Sequence, residues 1–294
     1  MLSKAIFSTT VILTIIFLGL FTSPLFGATV QLNISDKLIA NAEYYPGEKN
    51  RPFILIMHGF LLNHNFPTVK RLAESLNSSG YNILTPSLTL GINQRKKSLA
   101  CEAIHTHSLK KDVSELDQWI KWLQKKTSGE IILIGHSTGS IHLAKFLSNH
   151  PSDRIKEIIF IAMPDLNPNF RDNETINFEQ KAKQLVLNND MSLHDFKIAY
   201  CEKYPTTAEN YLSYLQLSKE NILNDLDKIT VPKTLIMGSK DNRINESWRH
   251  TLLQHGVNVI SIEGANHFFD YEYEFDLLDI VENILSQYNT TTKK

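Results

Sequence analysis

Short, uninterrupted apolar segments recur along the chain and alternate with segments whose apolar residues have helical spacing. The clearest apolar segments are residues 53–57, 131–134 and 158–162. Strands that are apolar on both faces are typical of a parallel sheet covered by helices on both sides. Apolar residues at helical spacing, as in 67–79 and 109–123, predict the connecting helices. This alternation predicts a doubly wound, mostly parallel α/β sheet.

The alternation stops over residues 165–230 and resumes at 235–237. The interrupting segment begins with Asn- and Pro-rich residues. It continues with amphipathic stretches, including 185–187 and 196–200, that we expect to be mostly helical. It is too long for a connecting loop and too short for a second large core. We therefore expect an inserted helical cap within one α/β domain of residues 29–294. A run of ordinary crossover helices is the alternative.

Residues 1–28 have the pattern of an export signal. Lys4 supplies a positive charge, residues 5–21 are apolar apart from Ser and Thr, and Pro24 ends the apolar stretch. We expect export to the periplasm or the extracellular space, with the signal ending near residue 28. The alternative is a membrane anchor formed by an uncleaved segment 5–21, which would be the only contact with a membrane.

The charge of the chain is nearly balanced, with 30 Lys and Arg residues against 31 Asp and Glu residues. Neither a basic stripe nor an acidic tail stands out in the sequence, which disfavours a nucleic-acid partner. The two cysteines, Cys101 and Cys201, are an even number in a chain that we expect to be exported. This favours a disulfide between them, with two unpaired, partly buried thiols as the alternative.

The apolar segment 131–134 leads directly into the motif that points to chemistry. Residues 135–139 read G-H-S-T-G, which matches G-x-S-x-G, and apolar residues at helical spacing follow. A strand that turns sharply into a helix presents the seryl hydroxyl above the edge of the sheet. The small residues on either side of the serine allow the strand and helix backbones to approach each other. The motif therefore predicts Ser137 as a nucleophile.

A seryl hydroxyl needs a base within hydrogen-bond distance and a third group that orients this base. Asp241 and His267 each follow a late predicted strand, in the order serine, acid, histidine that is typical of this motif. Residues that follow parallel strands converge on one edge of the sheet. Ser137, Asp241 and His267 are therefore the candidate catalytic triad. Asp165, which also follows a strand, is the alternative acid.

A serine nucleophile also needs backbone N–H groups that face the developing negative charge. We predict the N–H of Thr138, which follows the nucleophile, and that of Phe60, in the loop after the first central strand. The candidate substrate-binding residues are His58, His136, Tyr200 and Tyr211. As alternatives, His58 has a structural role, His136 packs beside the turn, and the tyrosines pack the cap onto the core.

His105 and His107 raise the question of a metal site. Two histidines two residues apart, without cysteines or paired carboxylates in a recognisable pattern, are weak support for a bound metal. We expect no metal and no cofactor. We expect these histidines to line the mouth of the substrate site or to lie on the surface.

Together these motifs resemble the α/β-hydrolase superfamily. The resemblance covers residues 29–294 and rests on H-G-F at 58–60, G-H-S-T-G at 135–139, G-S-K-D at 238–241 and A-N-H-F at 265–268. A single His-Gly without further glycines is similar to the broad group of esterases, lipases and proline peptidases. The resemblance implies the α/β-hydrolase fold but does not fix a substrate. From the ordered triad and the two oxyanion positions we expect a serine hydrolase that cleaves a small-molecule ester or related acyl compound through an acyl-enzyme. The alternatives are a peptidase or amidase with the same triad and a catalytically silent binding protein.

Overall fold

The computed structural model of the chain describes residues 27–165 and 173–289. Residues 1–26 of the predicted export segment 1–28 lie outside the described residues. Within the described ranges, every helix is either too short or too polar to cross a membrane.

Strands and helices alternate over most of the described chain. The strands are β1 (Ala28–Ser35), β2 (Leu38–Tyr45), β3 (Phe53–Met57), β4 (Asn82–Ser87), β5 (Ile131–His136), β6 (Ile155–Ile161), β7 (His194–Ile198), β8 (Cys201–Thr206), β9 (Lys233–Gly238) and β10 (Asn258–Ile262). The helices are α1 (Pro67–Ser78), α2 (Leu109–Lys126), α3 (Thr138–Asn149), α4 (Asn173–Leu187), α5 (Ala208–Leu215), α6 (Lys219–Lys228), α7 (Glu246–Gln254) and α8 (Tyr273–Ser286).

Eight strands form one sheet in the order β1-β2-β4-β3-β5-β6-β9-β10. The pairs β1–β2 and β2–β4 are antiparallel, and every pair from β4 to β10 is parallel. Residues 131–134 of β5 are all fully buried, so both faces of this central strand are covered. The predicted doubly wound, mostly parallel sheet and its strand at Phe53–Met57 are therefore confirmed.

The chain between β6 and β9 contains α4, a β7–β8 hairpin, α5 and α6. The prediction of helix at residues 196–200 was wrong, because Phe196 pairs with Tyr204 across the antiparallel hairpin. Phe196 and Ile198 are two residues apart, which is the strand period, and a short apolar run does not separate the two periods. Helix α6 packs on α3 like an ordinary crossover helix, so we use "cap" for α4 through α5.

The cap has a small core of its own. Ala182, Phe196, Ala208 and Tyr211 are fully buried there. The Tyr211 ring stacks on that of Phe196, with centroids 4.3 Å apart. Tyr211 therefore packs the interior of the cap, which corrects the prediction that it binds substrate.

A disulfide joins Cys101 to Cys201, with a Cα–Cα distance of 5.3 Å. Cys101 lies in the long segment between β4 and α2, and Cys201 begins β8. The bond therefore ties the cap hairpin to the α/β core.

We expect unfolded, unreduced protein to resist alkylation and reduced protein to gain two alkyl groups, as measured by intact mass. The bond closes a loop with a sequence separation of 100 residues. Replacing both cysteines by alanine should lower the free energy of unfolding by about 4–5 kcal/mol if the effect is chain entropy. Two alkylated cysteines without reductant would refute the bond.

Candidate active site

Ser137 lies at the sharp turn between β5 and α3. Its backbone has φ 55° and ψ −126°, a conformation that a residue with a side chain rarely adopts. The turn is held because the Ser137 N–H donates to the Ile161 carbonyl at 2.8 Å, which extends the β5–β6 pairing. This geometry directs the seryl side chain away from the strand and over the edge of the sheet.

Gly139 allows α3 to start against the loop that follows β3. A Cβ atom at this position would lie 2.4 Å from the His58 carbonyl oxygen and 2.6 Å from that of Met57. Both neighbours are backbone atoms, which cannot rotate away as a side chain can. A larger residue would therefore push the helix and the serine away from this loop.

We expect Gly139→Ala to lower the free energy of unfolding by about 1–3 kcal/mol, the usual cost of overpacking. Gly129→Ala is the matched control, because its Cβ would meet only the Thr127 hydroxyl, at 3.1 Å. Urea unfolding followed by circular dichroism measures both changes. Equal losses for the two variants would show that the close approach at Gly139 is not the cause.

Three side chains form a continuous hydrogen-bonded series at the edge of the sheet. The Ser137 hydroxyl donates to His267 Nε2 at 2.9 Å, and His267 Nδ1–H donates to Asp241 Oδ2 at 2.7 Å. The other carboxylate oxygen of Asp241 accepts the Arg243 N–H at 2.9 Å. All three members are largely buried, with 9% of Ser137 exposed and 4% each of Asp241 and His267. A serine, a base and an orienting acid are therefore in hydrogen-bond contact before any ligand binds.

The loops that carry Asp241 and His267 are held against each other. The Lys240 N–H donates to the Ala265 carbonyl at 2.9 Å. Gly238 makes this contact possible, since a Cβ there would lie 2.3 Å from the same carbonyl oxygen. The Asn266 side chain accepts the Phe268 N–H at 2.9 Å and so closes the turn around His267.

Asp165, the alternative acid, lies elsewhere. Its carboxylate accepts a hydrogen bond of 3.2 Å from the Asn245 side chain, and its N–H donates to the Arg243 carbonyl. Among the described residues, the carboxylate that contacts His267 Nδ1 is that of Asp241.

The predicted oxyanion donors lie in two turns that meet at Ser137. Phe60 follows His58-Gly59. Gly59 lies against the Ser137 turn, since a Cβ added at Gly59 would be 3.1 Å from Ser137 Cβ. Thr138 is the first residue of α3, where backbone N–H groups have no partner within the helix. In the described part of the chain, neither the Phe60 N–H nor the Thr138 N–H donates to another group.

Comparison with known proteins agrees with this architecture. A family model for the alpha/beta hydrolase fold matches residues 52–178, which include the loop after β3 and the Ser137 turn. The chain has the α/β-hydrolase fold. A search of curated proteins finds no match.

Solved structures with this fold resemble nearly the whole chain at low sequence identity. Est1E from Butyrivibrio proteoclasticus has a TM-score of 0.64 and 16% identity over 90% of this chain and 99% of its own. The α/β hydrolase GrgF from Penicillium sp. sh18 has a TM-score of 0.69 and 12% identity over 90% and 99%. A monoacylglycerol lipase from Paleococcus ferrophilus has a TM-score of 0.63 and 15% identity over 85% and 99%. At such identities the likeness shows the fold.

His136 supports the loop that carries His267. Its Nε2–H donates to the His267 carbonyl at 3.1 Å, and its ring stacks on Phe66 with centroids 5.9 Å apart. Burial, with the neighbouring His267, lowers the pKa of His136 to about 4, so the ring is neutral at pH 7. His136 therefore packs beside the turn, which corrects its assignment as a substrate-binding residue.

Both ring nitrogens of His58 are used by the backbone. Nδ1–H donates to the Gly59 carbonyl at 2.8 Å, and Nε2 accepts the Leu88 N–H at 3.1 Å. Burial and the nearby Arg95 guanidinium hold the pKa of His58 well below its usual value. His58 is a structural residue of the loop after β3, which corrects the prediction that it binds substrate.

His105 and His107 are buried rather than exposed, which corrects the prediction that they line the substrate mouth or lie on the surface. The His105 ring stacks on Tyr204 with centroids 3.9 Å apart. His107 contacts Asp112 and the hydroxyl groups of Tyr204 and Tyr214. These contacts join the cap to α2. Among the described residues, no group of three or more potential ligands could hold a metal ion.

Two buried charged residues near the site are not singled out by the sequence pattern. Arg95 belongs to a basic run, Arg95-Lys96-Lys97, yet only 3% of it is exposed. Asp112 is also buried, on the face of α2 that carries Leu109 and Leu116. A charge at helical spacing on an apolar face was the available signal for Asp112. The sequence around Arg95 has no comparable signal.

Proposed function

We propose that this protein is a serine hydrolase that cleaves an ester or a related acyl compound through an acyl-enzyme. The observation that carries the proposal is the hydrogen-bonded series from Ser137 through His267 to Asp241. The family model for the alpha/beta hydrolase fold supports a hydrolase. The monoacylglycerol lipase among the structural neighbours supports an ester as the first substrate class to test.

In the proposed mechanism, His267 Nε2 takes the proton of the Ser137 hydroxyl as the oxygen attacks the acyl carbon. The carbonyl oxygen becomes negative and accepts hydrogen bonds from the Phe60 and Thr138 N–H groups. Collapse of the intermediate breaks the bond to the leaving group, which receives the proton from His267. Water then repeats the sequence on the acyl-enzyme and releases the acid, while Asp241 stabilises the imidazolium form of His267 in each half.

We also propose that the protein is exported. The pattern of residues 1–28 carries this proposal, and the Cys101–Cys201 disulfide supports it because such bonds persist in oxidising compartments. Fractionation of expressing cells, with N-terminal sequencing of the exported form, tests it. An intact N-terminus in the membrane fraction would instead favour the anchor.

A fluorophosphonate probe tests the hydrolase proposal directly. We expect one covalent adduct per chain, located on Ser137 by peptide mapping and lost in Ser137→Ala. Turnover of p-nitrophenyl esters of increasing acyl length should accompany labelling. Folded protein that neither reacts with the probe nor hydrolyses any ester would favour the silent binding protein.

The leaving group is tested by comparing matched pairs of substrates. Each acyl group is presented as a p-nitrophenyl ester and as a p-nitroanilide, with N-terminal proline included among the anilides. We expect a larger kcat/KM for the esters, corrected for the ratio of their uncatalysed rates. A corrected preference for the anilides would favour the amidase or peptidase alternative.

A further inference from the structure

The cap holds the loop that carries the proposed oxyanion donor Phe60. The Phe60 ring is buried against three cap tyrosines, with centroid distances of 5.8 Å to Tyr200, 5.9 Å to Tyr204 and 6.0 Å to Tyr214. The Tyr200 hydroxyl also donates a hydrogen bond of 3.0 Å to the Phe60 carbonyl. Both the side chain and the backbone of Phe60 are therefore in contact with the cap.

Tyr200 lies at the tip of the hairpin, where the chain is tightly fixed. The two residues between β7 and β8 are Ala199, with φ 52°, and Tyr200. The next residue, Cys201, is bonded to Cys101 of the core segment. Farther along β8, the Pro205 carbonyl accepts the His105 N–H at 2.9 Å. The disulfide and this contact place the Tyr200 hydroxyl in a defined position relative to the core.

Each of the four successive carbonyl groups in the loop after β3, from Gly59 to Leu62, accepts a hydrogen bond. Leu62 N–H donates to the Gly59 carbonyl at 3.2 Å, Leu99 N–H to the Leu61 carbonyl at 2.9 Å, and Arg95 Nη2 to the Leu62 carbonyl at 2.7 Å. The first contact lies within the loop and the other two come from the core segment between β4 and α2, whereas the Phe60 carbonyl is held from the cap. Leu61 has φ 58°, which a residue with a side chain keeps only where its surroundings enforce it.

We propose that Tyr200 is a positioning residue that fixes Phe60 so that its N–H faces the oxyanion. The inference rests on the proposed hydrolase function. The carbonyl and the N–H of Phe60 belong to peptide groups that share one Cα, so holding the oxygen and the ring restricts the direction of the N–H. The effect appears in the transition state, where the substrate oxygen carries charge, and is small in the bound substrate.

The test is Tyr200→Phe, which removes the hydroxyl and keeps the ring on Phe60. We expect kcat for a short-chain p-nitrophenyl ester to fall about 10-fold, because small misplacement of a reacting group has effects of this order or larger. KM should stay within about 2-fold, since ground-state binding is unchanged. Affinity for a trifluoromethyl ketone, which forms a charged tetrahedral adduct with serine, should fall in parallel with kcat.

Tyr44→Phe is the matched control. Tyr44 lies on β2, where its ring contacts Trp122 with centroids 5.8 Å apart. The Tyr44→Phe variant should therefore have unchanged kcat, KM and inhibitor affinity. All variants are compared well below their Tm values. A rise in KM with unchanged kcat would assign Tyr200 to substrate contact instead. An unchanged kcat and inhibitor affinity in Tyr200→Phe would also overturn the positioning role.

The disulfide gives a second, independent test through a double-mutant cycle. In a Cys101→Ser/Cys201→Ser background the hairpin tip is released, so we expect Tyr200→Phe to cost less than 3-fold in kcat instead of about 10-fold. Full additivity would show that the disulfide does not position the tyrosine.

Fluorophosphonate labelling of the unaltered protein separates a failure of the proposed hydrolase function from a failure of the positioning role of Tyr200. Absent labelling and turnover would refute the hydrolase proposal and this inference together, whereas normal labelling with an unaffected Tyr200→Phe would refute this inference alone.

Discussion

Replacing Ser137 by alanine is expected to lower kcat for an activated ester by about 10⁴- to 10⁶-fold, the range seen when a nucleophilic serine is removed. The hydroxyl contacts His267 Nε2 at 2.9 Å, and its loss leaves no oxygen at this position to form the acyl-enzyme. A residual rate above the uncatalysed reaction should remain, because the oxyanion donors and the binding site are intact. Purified protein assayed with a p-nitrophenyl ester measures both quantities.

Two further variants make the Ser137 result specific. His267→Ala should cost about as much as Ser137→Ala, and the double variant should cost little more, because the two side chains act as one unit. Ser286→Ala is the matched control, since the Ser286 hydroxyl donates to the Asn283 carbonyl within α8. Activity retained in Ser137→Ala after repurification would place the nucleophile elsewhere. Additive losses for Ser137 and His267 would show that they do not act together.

The sequence predicted the features that depend on local pattern. Strand β3 and the Ser137 turn are set by adjacent apolar residues and by glycines whose absent side chains let two backbones meet. The grouping of Ser137, Asp241 and His267 required one further rule, that parallel strands end at one edge of a sheet. The catalytic role of these three residues stays a prediction until variants are measured.

What the sequence could not provide are contacts between residues far apart in the chain. His107 is buried because the Tyr204 hydroxyl, 97 positions later, reaches its ring. His58 Nε2 accepts a hydrogen bond from the N–H of Leu88, 30 positions later. Neither partner leaves a periodic signal near the histidine. The sequence therefore presents such histidines as candidates for the substrate site, although His58 bonds backbone groups and His107 bonds the side chains of Asp112 and two cap tyrosines.

We expect Asp241→Asn to lower kcat by about 10⁴-fold while leaving the fold intact. The Asp241 carboxylate accepts the Nδ1–H of His267 and so keeps Nε2 free to take the serine proton. An asparagine could instead donate its amide N–H to Nδ1 of His267, which would leave the ring proton on Nε2. A protonated Nε2 cannot take the serine proton. Pre-steady-state release of p-nitrophenol should show slow acylation in this variant, since the first proton transfer is the step that fails.

Asp165→Asn separates this explanation from a general loss of negative charge at the edge of the sheet. Both variants remove one charge in a loop that follows a parallel strand, and both keep the size of the side chain. The Asp165 carboxylate contacts Asn245, whereas that of Asp241 contacts His267, so only the tautomer argument predicts a large difference between them. We expect kcat of Asp165→Asn to stay within about 3-fold of that of the unaltered protein, as for removal of a group that stabilises no transition-state charge.

A larger loss of kcat in Asp165→Asn than in Asp241→Asn would reassign the acid to the loop after the strand that follows the nucleophile. Equal losses would mean that the charge at this edge, rather than the orientation of His267, carries the effect.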